Sequence, residues 1–111
     1  SSNNNLDLRE EMKFAALLAK CVSMTGVEGL DNTGDPTLLK ADQVLRWATV
    51  NGARAFGIDA GEIREGKLAD FILVDLGDIR LQPNHNLVSN WVYAASSDCI
   101  RAVFCDGRRV F

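Results

Sequence analysis

The apolar residues of this chain keep two different rhythms, and the changeover falls at Gly57. Before it, Ala41, Val44, Leu45, Ala48, Gly52, Ala55 and Phe56 recur at three- and four-residue steps, the spacing that lines one side of an α-helix. Gly57 stands where a left-handed residue would stop that helix. After it, Gly61, Gly66 and Gly77 bracket residues 70–76, an apolar run as short and bounded as a buried strand. Asp106-Gly107 supplies the two positive φ angles of a type I′ turn, so residues 100–105 and 108–111 are predicted to close the chain as a β-hairpin. Helices first and strands afterwards mean an α+β fold.

A second long helix is predicted over residues 6–24. Asp7 and Glu10 form an Asp-x-x-Glu pattern in which Asp7 can accept from the free amides of the first turn. Phe14-Ala15-Ala16-Leu17-Leu18-Ala19 is apolar around most of the helix, so the helix is either buried between two layers or short of a neighbour. Gly26, Gly29, Asn32, Gly34 and Asp35 read as a loop, and Asp35-Pro36 as the start of a helical turn over 36–39. Gly52 lies inside a helix at a cost of about 1 kcal/mol, which points to close approach of another backbone. Leu87, Val88, Trp91, Val92, Ala94 and Ala95 fit a short amphipathic helix.

With 111 residues and 47% apolar content, the expectation is one domain, helical over 1–57 and β over 58–111. A net charge of −3, with acids and bases interleaved, argues against a nucleic-acid partner. No apolar run approaches the roughly 20 residues that cross a bilayer, so no membrane partner is expected. Cys21, Cys99 and Cys105 are odd in number and sit among apolar neighbours, as reduced thiols packed like small hydrophobes would, which favours the cytoplasm. There is no initiating Met, and Ser1 reads as a cut end.

Few residues could carry chemistry. His85 is the only histidine, so one chain cannot assemble a His-rich metal site, and after Pro83 it reads as an exposed loop residue. Cys99 and Cys105 share a strand face by parity but would lie about 20 Å apart, too far to share an ion. Glu10 with Glu11, and Asp70 with Asp75, point in different directions and cannot converge on one bond. No phosphate-loop pattern occurs. Ser1 to Asn5 is the one polar cluster directly before a capped helix, either a place for a polar ligand or a solvated terminus.

Thr49-Val50-Asn51-Gly52-Ala53-Arg54-Ala55-Phe56-Gly57 and Gly61 through Asp75, of the form G-x-h-x-x-G-K-x-A-D-h-h-h-h-D with h apolar, resemble two segments of the amidohydrolase superfamily. Ser2-Asn3-Asn4-Asn5-Leu6-Asp7 with Glu11-Met12-Lys13, Asn86-Leu87-Val88-Ser89, and Asp106-Gly107-Arg108 are most similar to its branch of methylthioadenosine/S-adenosylhomocysteine deaminases and triazine hydrolases. The resemblance implies a (β/α)8 barrel beside a β-sandwich, with zinc or another divalent metal activating water against a ring carbon. It also implies that residues 7–22 are the last barrel helix, residues 41–56 an added helix, and the strands a partial sandwich. Ser2, Asn3, Asn4 and Asn5 would line the barrel mouth and contact substrate. No metal ligand and no catalytic residue carries over, because the family's histidines and metal-binding aspartate have no counterpart in this sequence. Lys40 stands where the family often has a capping Ser or Thr, weakening that helix start by roughly 1 kcal/mol.

Two functions follow from this reading. One is a carboxy-terminal piece of a hydrolase acting on C–N bonds other than peptide bonds, an aminohydrolase of adenosine-type or other N-heterocyclic substrates, inactive without its barrel. The other is a non-catalytic module derived from such an enzyme that covers its apolar faces by self-association. The expected partner is accordingly a second copy, as a dimer, or the missing barrel portion.

Overall fold

The computed structural model describes residues 4–25 and 34–111. Ser2, Asn3, Gly26, Gly29 and Asn32 lie outside them. Helix α1 spans Leu8–Met24, and Asp7 caps it as the sequence suggests, its Oδ1 accepting from Arg9 N at 2.9 Å and Glu10 N at 3.3 Å. The Asp-x-x-Glu pattern does not close into a reciprocal box, because Glu10 accepts from the Asn5 side-chain amide while Asp7 N donates to Asn5 Oδ1 at 2.9 Å.

Residues 36–39 form one hydrogen-bonded turn and not a helical one. Leu38 N donates to Asp35 O at 3.2 Å, and Leu39 then takes a φ of 51°, which a helix cannot continue through. Helix α2 (Ala41–Arg46) follows. Lys40 has no acceptor to offer as a cap; the contact runs the other way, from Lys40 N to Gln43 Oε1 at 2.7 Å. A π-helical turn, Trp47–Asn51, joins α2 to α3 (Gly52–Ala55). Gly57, with a φ of 67°, ends α3 in a Schellman motif, Ile58 N reaching Ala53 O at 2.9 Å and Gly57 N reaching Arg54 O at 3.1 Å.

The close backbone approach expected at Gly52 is found at another glycine. At Gly52 the nearest atom to an added Cβ is the carbonyl of Trp47, five residues back in the same helix, at 3.4 Å. At Gly61 such a Cβ would lie 2.7 Å from Thr49 O and 2.8 Å from Val50 Cα. The 58–67 segment is thus laid directly on the π-turn.

Strand β1 (Phe71–Val74) pairs antiparallel with β2 (Ile100–Cys105), which pairs antiparallel with β3 (Arg108–Arg109), in the order β1-β2-β3. Phe71 faces Phe104 across the first pair, with ring centroids 4.5 Å apart. The hairpin turn has φ values of 49° at Asp106 and 72° at Gly107, as its sequence predicts. It is tied to the start of β1 by Asp106 N to Asp70 Oδ1 at 2.7 Å and Gly107 N to Ala69 O at 3.0 Å. The expectation of a buried strand is corrected for β1, since Ile72 and Leu73 are both exposed, and among the described residues nothing pairs with its outer edge.

Helix α4 (Leu87–Tyr93) starts at Asn86, whose Oδ1 accepts from Ser89 N at 2.9 Å. Met12 and Ala16 of α1, Ala41 and Val44 of α2, and Val92 of α4 make the larger core. Leu81, Ala95 and Cys99 make a smaller one under β1, and Trp91 touches both. At 100° per residue, Phe14 and Leu18 fall on the side of α1 opposite Met12 and Ala16. They are 66% and 63% exposed. α1 therefore has two apolar faces, of which the described residues cover one.

All three cysteines are free, but only Cys99 is buried; Cys21 and Cys105 are exposed, which corrects the expectation that each is packed. Strand parity fails for Cys99 because it sits in a 3-10 turn, Ser97–Cys99, before β2 begins. Among the described residues no helix is long and apolar enough to cross a membrane.

Candidate functional site at the start of helix α1

Of the four residues predicted to contact a ligand, Asn4 and Asn5 are described. Asn4 is exposed with a φ of 63°, a left-handed conformation that Asn tolerates better than most residues. Asn5 is half-buried and turned inward, its carboxamide bridging Asp7 N and the Glu10 carboxylate. The two asparagines thus have different roles in the segment: Asn4 faces outward and Asn5 holds the backbone.

Behind them lies Arg9, which sequence reasoning did not single out. Its side chain is only 10% exposed. Nη2 donates to Asp7 Oδ2 at 2.9 Å, and Nη1 donates to the backbone carbonyl of Ala95, just beyond α4. Nε is buried without a hydrogen-bond partner among the described residues. That follows from Asp7's other oxygen already accepting the two helix amides, so a two-pronged Arg–carboxylate pair cannot form. The sequence held one signal. A cation in the first turn of a helix opposes the helix dipole, so a specific acceptor elsewhere was to be expected.

Three acidic residues at the β end, Asp75, Asp78 and Asp98, are engaged in ion pairs. Asp78 caps the 3-10 turn Ile79–Leu81 and pairs with Arg80 at 2.8 Å, which holds its carboxyl down at about 2. Arg80 also pairs with Asp98 at 2.7 Å and lowers that carboxyl too. Arg101 does the same for Asp75, whose Oδ1 meanwhile turns the strand end by accepting from Gly77 N at 2.8 Å. His85 is exposed in its loop. Among the described residues no three of His, Cys, Asp and Glu converge on a point that could hold a metal ion. The donor set described does not fit a divalent metal.

Two open clefts flank the helices. One, of ≈ 320 Å³, lies where α3 ends and is lined by Arg54, Asp59, Glu62 and Lys67; Lys67 is neutralised there by its ion pair with Asp59. The other, of ≈ 460 Å³, lies between α2 and α4 beside Lys20, Lys40, Asp42 and Tyr93. Lys20 Nζ donates to Ala16 O at 3.1 Å, Leu39 O at 3.0 Å and Tyr93 Oη at 3.2 Å, so its three protons knit the helices together.

Known proteins resemble this arrangement from end to end. A profile described as the amidohydrolase family matches residues 1–110. The chain is 52% identical over 110 residues to a 5-methylthioadenosine/S-adenosylhomocysteine deaminase from Archaeoglobus fulgidus, covering 99% of this chain and 24% of that protein. It is 47% identical over 108 residues to a 5'-deoxyadenosine deaminase from Methanothermobacter thermautotrophicus, covering 97% of this chain and 23% of that one. The crystal structure of an adenosine deaminase from Xanthomonas campestris, with bound zinc, superposes with a TM-score of 0.82 at 39% identity, over 97% of this chain and 23% of that chain. The chain spans about a quarter of the length of these relatives. With the profile matched almost throughout and the helix end, Gly61 contact and hairpin turn built from the residues that carry the resemblance, this chain belongs to the amidohydrolase family.

Proposed function

We propose that this chain is the carboxy-terminal frame of a metal-dependent aminohydrolase of adenosine-type nucleosides. The observation that carries this reading is identity to adenosine-type deaminases running through the whole chain. In this reading α1 is the last helix of the barrel, residues 41–56 are an added helix, and β1 to β3 are part of a sandwich. The two apolar faces of α1 support it, because a barrel helix needs one face for its strands and another for whatever packs outside. The segment of Ser2, Asn3, Asn4 and Asn5 sits at the barrel mouth and contacts the nucleoside. The groups that grip the metal belong to the rest of the enzyme, and the chain alone is inactive.

Ammonia release from adenosine, 5'-methylthioadenosine and 5'-deoxyadenosine tests this, with the chain alone and with the chain mixed with the preceding three-quarters of the Archaeoglobus deaminase, zinc being present in both. The expected result is turnover in the mixture only. Turnover by the chain alone overturns its inactivity; a mixture that associates yet never releases ammonia overturns the enzyme reading.

A second reading, self-association, is favoured by the exposed Phe14, Leu17 and Leu18 in one stripe of α1. Apolar patches of this kind are commonly covered by another molecule. Light scattering is expected to give the mass of a dimer, falling to that of one chain when Phe14 and Leu18 are both replaced by serine. A monomeric wild-type chain at high concentration removes this reading.

A further inference from the structure

We propose that Arg9 is a positioning residue, fixing the asparagine segment before α1 against the end of α4 so that Asn4 is held facing its substrate. The proposal rests on the reading of that segment as the barrel mouth.

The connections form one unbroken path. Ala95 is buried, and its carbonyl, just past the C-terminal end of α4, accepts from Arg9 Nη1. Nη2 of the same guanidinium donates to Asp7 Oδ2. Asp7 N in turn donates to Asn5 Oδ1, and the Asn5 amide donates to Glu10. Asn4 is the next residue and takes its left-handed backbone there. A guanidinium at this point lies between the negative end of α4 and the carboxylates at the start of α1, the two places that stabilise a cation. Lysine could satisfy only part of this, since one ammonium lacks the planar fork that reaches two acceptors in fixed directions. Arg9 reaches the segment directly through Asp7, and its Nη2 also lies 3.8 Å from the Glu10 carboxylate that accepts from Asn5.

The test uses Arg9→Met, which keeps the buried stem, and Arg9→Lys, which keeps the charge. In the chain itself, the Asp7 amide is expected to exchange with solvent about tenfold faster in Arg9→Met, while amides of α2 are unchanged and Arg9→Lys is intermediate. In the reconstituted enzyme, Arg9→Met is expected to raise KM about tenfold with kcat within about twofold, the pattern of lost substrate positioning at binding. Faster exchange with unchanged KM makes Arg9 purely structural and overturns the proposal, as does unchanged exchange. If Arg9→Met does not fold, Arg9→Lys carries both measurements. Should the wild-type mixture associate yet release no ammonia, the barrel-mouth reading fails on its own evidence, and the Asp7 exchange rate still decides whether Arg9 fixes the segment.

Discussion

Replacing Gly61 by alanine is expected to destabilise the fold by about 3 kcal/mol. Two costs combine. Gly61 has a φ of 89°, where any residue with a Cβ is strained by roughly 1–2 kcal/mol. The added carbon would also lie 2.7 Å from Thr49 O and 2.8 Å from Thr49 C and Val50 Cα. These are backbone atoms of the π-turn, so they cannot swing aside as a side-chain tip would, and overpacking of this kind costs about 1–3 kcal/mol. For a domain of this size the thermal midpoint should fall by about 12–20 °C. Gly66→Ala is the internal control, because Gly66 has a φ of 84° but no atom of the described residues within 4 Å of where its Cβ would go. It should lose only the conformational part, about 1–2 kcal/mol. Equal midpoints for the two variants would mean that the 58–67 segment does not bear on the helix as described.

That contact shows where sequence reading succeeds and where it stops. Gly57 and Asp106-Gly107 were legible because their roles are local. Gly57 needs only its own positive φ and hydrogen bonds a few residues back, and the Asp106-Gly107 turn needs two positive φ angles, requirements written in the residues themselves. The caps at Asp7 and Asn86 were within the reach of the same rule, though only the first was named. Gly52 and Gly61 look alike in a string of letters, and which of them meets a foreign backbone depends on how residues 58–67 fold back. The π-turn leaves no mark either, since Ala48 and Gly52 keep a four-residue step whether their carbonyls bond four or five residues ahead. The apolar run 70–76 suggested burial, yet burial needs a second layer, and hydrophobicity alone does not supply one.

The candidate site was legible in the same uneven way. A polar cluster before a capped helix marks a place, and Asn4 and Asn5 do stand at that place. Their differing orientations, and Arg9 beneath them, depend on Ala95, which is 86 residues away from Arg9 in sequence. No local rule connects them. The unmade hydrogen bond at Arg9 Nε arises the same way, from competition for Asp7 between a helix end and a side chain.

Leu81→Ala is expected to have a loss of stability as large, about 3 kcal/mol, with a chemical signature of its own. Leu81 is fully buried in the smaller core, against Ala95 and Cys99, with Val74 and Trp91 alongside. Its backbone is held independently: the 3-10 turn is capped by Asp78, and Leu81 O accepts from Asn90 Nδ2 at 3.0 Å. Truncation should therefore leave a cavity and not a collapsed loop, which is the situation in which leucine-to-alanine changes cost about 2–5 kcal/mol. Cys99 lines that cavity and is inaccessible in the native chain, whereas Cys21 and Cys105 are exposed. A thiol reagent should modify two cysteines quickly and the third slowly in the wild type, and the slow one should quicken by about a hundredfold as opening becomes some 3 kcal/mol easier. Ile79→Ala removes an apolar side chain from the same turn at a position 84% exposed, and it should change stability by no more than about 0.5 kcal/mol. A Leu81→Ala chain with the thiol kinetics and midpoint of Ile79→Ala would mean that the small core does not join β1 to α4, and that the sheet is held to the helices chiefly through Gly61.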